Sequence, residues 1–328
     1  MRSFLLSLTL LATPVHAECS GQNLVDLLPE TVRAALEERA DAHPYAAGNF
    51  WTATKGDQEV TLVGTYHLGD PRHEIILTEL KPVIEEATTV LVEAGPEEEK
   101  SLVDRIGKDP SVMILTDTTL TELLEPDDWQ LLSSAMVQRG IPGFMAAKFQ
   151  PWYISMLLAT PACDLKAALD KNGLDAMIME EATSADVPVR ALEPYDTVFR
   201  IFDSLSIDDQ IDMVRSSLAM ESRAEDFSRT LADIYFSGQT RMIWELMRHE
   251  SLLVPGASES KVDAELALME NAMMTTRNRN WIPVIEEAAE QGPVVVAFGA
   301  LHMSGEDGVA NLMSERGWTL TPFTDAAP

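Results

Sequence analysis

Two stretches of the chain carry the residues best equipped for chemistry. Val60 to Arg72, VTLVGTYHLGDPR, reads as an apolar strand that stops at a glycine and presents Thr65, Tyr66 and His67, with Asp70 and Arg72 just beyond. Val294 to Gly308, VVVAFGALHMSGEDG, repeats the pattern: apolar strand, Gly299, two residues, His302, then a polar loop that includes Glu306. Two shorter apolar runs end in carboxylates, TVLV (Thr89 to Val92) at Glu93 and VPVRAL (Val187 to Leu192) at Glu193. Two neutral imidazoles with one or two carboxylates are a sensible ligand set for Zn²⁺ or Mn²⁺, with a position left for a water whose pKa the ion lowers. The glycines are expected to let the backbone turn sharply beside such a site.

Each piece alone is weak, since chance gives about 0.3 G-x-x-H matches in a chain of this glycine and histidine content. The stronger signal is convergence. Ligands of open α/β sheets bind outside the C-terminal ends of the strands, so four strand-end residues from distant parts of the chain would meet in one crevice. Blander roles stand beside this one. Either histidine could serve only to hold a loop, Glu93 could cap a helix or pair with Arg72 or Arg277, and Glu193, before Pro194, could bond backbone amides. Arg277 and Asn278 fall mid-helix, where charge usually marks a solvated face, and His43, His73 and His249 have the surroundings of surface histidines.

The elements that must position these residues follow from periodicity. Gln22 to His43 is helical, with Leu24, Leu27, Leu28, Val32 and Leu36 on one stripe. Phe50 to Lys55 and Glu59 to Val63 alternate like strands about a Gly56-Asp57 turn, which predicts a hairpin. A helix over Glu74 to Ala87 then leads to the strand Thr89 to Val92, completing a strand, helix, strand unit. Residues from Glu97 to Ala185 are mostly helical, with KFQPWYISMLL (Lys148 to Leu158) as a buried helix, and Asp203 to Gln291 holds several amphipathic helices. SLLVPGASES (Ser251 to Ser260) reads as a loop, and Pro283 is expected to start or kink a helical segment. A strand over Pro293 to Phe298, a helix containing Asn311 to Glu315 and a strand over Trp318 to Phe323 close the chain.

The 328 residues carry 53 acidic and 24 basic side chains, a net charge of -29, which repels phosphate backbones and argues against nucleic-acid binding. MRSFLLSLTLLATPVHA has the basic start, short apolar run and small-residue end of a secretory signal peptide, with cleavage expected after Ala17; an uncleaved anchor is the competing reading. No later stretch has the roughly 18 to 20 apolar residues of a membrane span. A periplasmic or secreted protein is therefore expected. In such an oxidising compartment the two cysteines, Cys19 and Cys163, are expected to pair.

GTYHLGDPR, LVEAG, NGLDAMIMEEA with VRALEP, RNRNW and AFGALHMSGEDGV stand in the order expected of the TraB/GumN family, which includes the TIKI proteins, and the resemblance runs from the Cys19 region to Pro322. It implies an α/β fold: a central mixed β-sheet built from two related halves, flanked by helices, with a large helical insertion, the core of an erythromycin-esterase/ChaN-like superfamily. On this reading residues 18–328 form a single domain, with helical insertions at about 97–185 and 203–291. The TIKI branch is described as metal-dependent proteases with two GX2H motifs and a glutamate, which by motif match fall on His67, His302 and Glu93. The resemblance implies a hydrolase of peptide bonds holding a divalent metal (Mn, Zn or Co) on those residues, with Glu93 as ligand or general base. Arg277 would steady a carboxylate or oxyanion, and Tyr66, Asp70, Arg72, Glu193, Asn278 and Glu306 would support the site. A peptide or protein is the expected substrate. The same wider superfamily leaves two alternatives: a metal-free esterase-like hydrolase, or a haem- or peptide-binding protein without catalysis.

Overall fold

The computed structural model describes residues 19–165, 172–254 and 256–323; the expected signal peptide, residues 1–17, lies outside the described residues. The hairpin forms as its alternation dictates: β1 (Phe50–Lys55) runs antiparallel to β2 (Gln58–Thr65) across a turn at Gly56, whose φ of +62° suits a residue without a Cβ. With β3 (Thr89–Val92), β4 (Val189–Ala191), β5 (Val294–Gly299) and β6 (Thr319–Pro322) it makes a six-stranded mixed sheet in the order β4-β3-β5-β2-β1-β6. The first four of these are mutually parallel, and β1 is antiparallel to both its neighbours.

The apolar runs of β2, β3 and β5 are continuous because those strands are covered on both faces. Along β5, Val294, Val296 and Phe298 pack with Trp281, Ile282 and Ile285 of the helix Thr276–Ala289 and with Val309 and Met313 of the helix Val309–Glu315. The alternate residues Val295 and Ala297 face Leu80 and Ile84 of the helix His73–Glu86 and Ile178 of the helix Leu174–Ser184. The helical segments outside this sandwich bring their own cores: one gathers Leu120, Leu132, Met136, Ile154 and Val214, the other Leu36, Ile243 and Leu246. The expected buried helix is Pro151–Ala159, with Trp152 stacked on Phe202 at 5.1 Å.

Three local expectations need correction. The N-terminal helical stripe is broken into Leu24–Leu27 and Glu30–Asp41, because Pro29 cannot donate within a helix and stands instead at the start of the second. Of the two roles expected of Pro283, starting a new segment is excluded: the helix runs across it, its buried Trp281, Ile282 and Ile285 outweighing the lost backbone bond. His73 is no surface histidine. It is wholly buried, with Nε2 bonded to Leu68 O at 2.9 Å and its ring 5.2 Å from that of Phe236, and burial pushes its pKa down.

Cys19 and Cys163 form a disulfide with Cα atoms 5.4 Å apart. It fastens an N-terminal arm that also lies along the helix Ala224–Phe236, where Leu24 N donates to the buried Thr230 Oγ1 at 2.8 Å. Among the described residues no helix is long and apolar enough to cross a membrane.

Candidate functional site at the sheet edge

Because β2, β3, β4 and β5 are parallel, their C-terminal ends share one edge, and His67, Glu93, Glu193 and His302 all emerge there. The two G-x-x-H motifs are nevertheless not equivalent. In the parallel register Gly64 stands opposite Phe298, and it is Thr65 that faces Gly299, so the motifs are offset by one residue. His67 therefore sits two residues past its strand in an exposed loop, whereas His302 closes a 3-10 turn, Ala300–His302, and is buried.

Neither motif glycine turns the chain sharply, contrary to expectation: Gly299 has an ordinary φ of -52°. What each provides is close approach. A Cβ at Gly64 would stand 3.0 Å from Asn49 O, and one at Gly299 would lie 3.2 Å from His67 Nε2 and 3.3 Å from Glu93 Oε1. Gly299 thus leaves a gap that both of these atoms border.

His67 is set by the helix Leu174–Ser184. Leu174 N donates to Tyr66 O at 3.0 Å, and Gly173 packs so closely that a Cβ there would meet His67 O at 2.2 Å. Asp175, in the first turn of that helix, then holds His67 Nδ1 at 3.1 Å. Desolvation opposes a charge on His67, but the hydrogen bond and charge of Asp175, with Glu93 adding, raise its pKa to about 9. Asp175 is the residue sequence reasoning missed. An acidic residue in a first helical turn is ordinarily read as balancing the helix dipole.

Glu93 accepts from Gly299 N at 2.6 Å through Oε1 and from Arg277 Nη2 at 2.5 Å through Oε2. Burial works against its ionisation, yet the charges of Arg277 and His67 and the Gly299 N–H hold it down to about 2. Glu193 accepts from Arg277 Nε and Nη2 and from Trp281 Nε1. Arg277 and Asn278 are not on a solvated face: both are buried. A π-helical turn, Asn271–Thr275, precedes them, and its Met273 O accepts from Arg277 Nη1 at 3.1 Å. That same Nη1 donates to His302 Nε2 at 3.2 Å. All five N–H bonds of the guanidinium are therefore engaged with Glu93, Glu193, Met273 and His302. Arg277 organises the site and has no donor left to offer a substrate oxyanion.

Asn278 fixes the other ring. Its Nδ2 donates to Asp307 O at 2.8 Å and His302 O at 3.3 Å, which turns Oδ1 toward His302 Nδ1 at 2.5 Å. Nδ1 must carry the proton, and Nε2 presents its lone pair. Burial keeps this ring neutral, its pKa pushed down to about 3.

Four of the expected supporting residues lie elsewhere. The ring of Tyr66 packs on Tyr235 at 5.5 Å, and burial pushes its pKa up to about 12. Asp70 and Arg72 bond each other at 2.6 Å, and Arg72 lies over Phe236 and reaches Asp233. Glu306 pairs with His43 at 3.1 Å. Each stays with a partner outside the cluster of His67, Glu93 and His302.

The cleft at this edge has a volume of about 210 Å³, and Thr65, His67, Glu93, Asp175, Met179 and Phe298 are among the residues that line it. Its donor set suits a divalent ion in kind: each imidazole has Nδ1 held by an oxygen, as metal-ligating histidines do, and a carboxylate stands between them. The spacing is open. Glu93 Oε1 and His302 Nε2 are 3.9 Å apart, and among the described residues the one group of three ligand atoms within 4.8 Å is Cys19, Cys163 and Asp164, whose sulfurs are spent in the disulfide. An ion at the cleft and the Arg277 guanidinium would compete for the same His302 lone pair.

Residues 49–322 match the model of the TraB/PrgY/gumN family. No individually curated protein gives a significant match to the chain.

Proposed function

The chain belongs to the TraB/PrgY/gumN family, and from that membership and the geometry of the sheet edge we propose that it is an exported hydrolase that cleaves peptide bonds. The observation that carries the proposal is that His67 Nε2 and Glu93 Oε1 both border the gap left by Gly299, beside a His302 whose Nε2 lone pair is fixed by Asn278. His67, His302 and Glu93 would hold a divalent ion such as Mn²⁺, Zn²⁺ or Co²⁺, which there would polarise a carbonyl and ready a water for attack. Asp175 holds the His67 ring in one orientation, and Arg277 keeps Glu93 ionised and in place beside the gap. Glu93, where it is not itself a ligand, is the group placed to take a proton from water in the cleft.

A second reading, hydrolysis without metal by a histidine base, is favoured by one observation: Arg277 already supplies a cation to Glu93, Glu193 and His302. The two readings separate in one experiment. Protein stripped with EDTA and protein reconstituted with Mn²⁺, Zn²⁺ or Co²⁺ are assayed on a quenched-fluorescence peptide library, with metal binding followed by calorimetry. Activity restored only by metal supports the first reading; equal activity in both preparations, with no binding heat, removes the metal. Export rests on the N-terminal sequence and agrees with the disulfide.

A further inference from the structure

Hydrolysis of a carbonyl needs a donor for the oxygen on which negative charge develops, and apart from His67, which the hydrolase reading assigns to the ion, the obvious donors at this edge are spent. Gly299 N–H is taken by Glu93, the guanidinium of Arg277 is fully bonded, and both amide protons of Asn278 go to backbone carbonyls. Thr65 remains. It is the last residue of β2, paired with Gly299 across the parallel register, only 3% exposed and part of the cleft lining. Its Oγ1 has no hydrogen-bond partner among the described residues. A buried hydroxyl left unpaired costs stability, and a β-branched apolar residue would fill the same strand position without that cost.

Resting on the hydrolase reading above, we propose that the Thr65 hydroxyl is completed by the substrate: it donates to the carbonyl oxygen of the scissile bond and stabilises the oxyanion when water adds. Other buried polar atoms without partners, such as Gln210 Oε1 and Ser304 Oγ, do not line this cleft.

The test uses the full mature chain and a quenched-fluorescence peptide that wild type cleaves. Thr65→Val keeps the branched shape and removes the hydroxyl. Its kcat is expected to fall roughly 100-fold with KM within about twofold, as loss of an oxyanion donor does. Its Tm should equal or exceed that of wild type, because an unpaired polar group has been removed. Thr65→Ser, which retains the donor, should keep kcat within roughly fivefold of wild type. Thr65→Ala is read in the same way if the valine variant does not fold. An unchanged kcat in Thr65→Val, or a loss confined to KM, overturns the proposal, and so does a lower Tm in Thr65→Val, which would show that the hydroxyl is bonded within the protein. A wild type that cleaves no peptide removes the hydrolase reading and this role with it, whereas an active wild type matched by an equally fast Thr65→Val removes the role alone.

Discussion

Arg277 balances more of the site's charge than any other side chain, lying between Glu93 and Glu193 with almost no exposure to water. Replacing one member of a buried ionic cluster leaves the others uncompensated, so Arg277→Met is expected to cost about 3–5 kcal/mol of unfolding free energy in urea titrations. Arg277→Lys should recover only part of this, since a single ammonium cannot reproduce the forked bonds to two carboxylates. Asp175 presents the opposite case. Its partner His67 is 62% exposed, so the pair contributes at most about 1 kcal/mol to stability and its value lies in orienting a ring. Asp175→Ala should therefore leave the urea midpoint nearly unchanged and lower kcat/KM roughly 10- to 100-fold, the usual effect of removing a partner that orients a functional histidine. If urea titrations show a large loss of stability instead, the residue is structural.

At the scale of elements, the sheet edge depends on glycines whose service is absence. Gly299→Ala would push a methyl against His67 Nε2 and Glu93 Oε1, and activity on the peptide library should drop at least about tenfold, because small misplacements at reacting groups are costly. Gly107→Ala, in the helix Pro96–Lys108 with open space at its Cβ, should instead add up to about 1 kcal/mol of stability and leave activity alone. Much of this architecture was legible from the sequence. The strands stood out as apolar runs because they are buried on both faces, and the residue following each run was bound to fall on a common edge once the strands were parallel. What could not be read was pairing between elements. The one-residue offset of the two G-x-x-H motifs is set by sheet register, and the burial of Arg277 and Asn278 follows from the helix Thr276–Ala289 lying on the sheet. Asp175 was invisible as a site residue for the same reason: a first-turn carboxylate looks ordinary until its neighbours are known.

Across the whole molecule, the Cys19–Cys163 bridge spans 144 residues and joins the N-terminal arm to the middle of the chain. The double variant Cys19→Ser, Cys163→Ser should lose about 3–5 kcal/mol, measured by urea unfolding against the oxidised wild type. The Asp70–Arg72 pair gives a pH test of the scaffold away from the cleft. Burial opposes the Asp70 charge, but the side-chain and backbone bonds from Arg72 outweigh it and hold the carboxyl below its usual range. A depressed folded-state pKa adds stability above the unfolded value of about 4 and loses it as pH falls through the folded value, so the Tm deficit of Asp70→Asn should be full at neutral pH and shrink in acid. The measurement that bears most directly on the account is steady-state peptide hydrolysis by wild type, His67→Ala, His302→Ala and Glu93→Gln, each checked for folding by Tm. Each folded variant is expected to lose at least about 100-fold in kcat/KM. Wild-type rates in all three would show that the sheet edge is not where this protein does its chemistry.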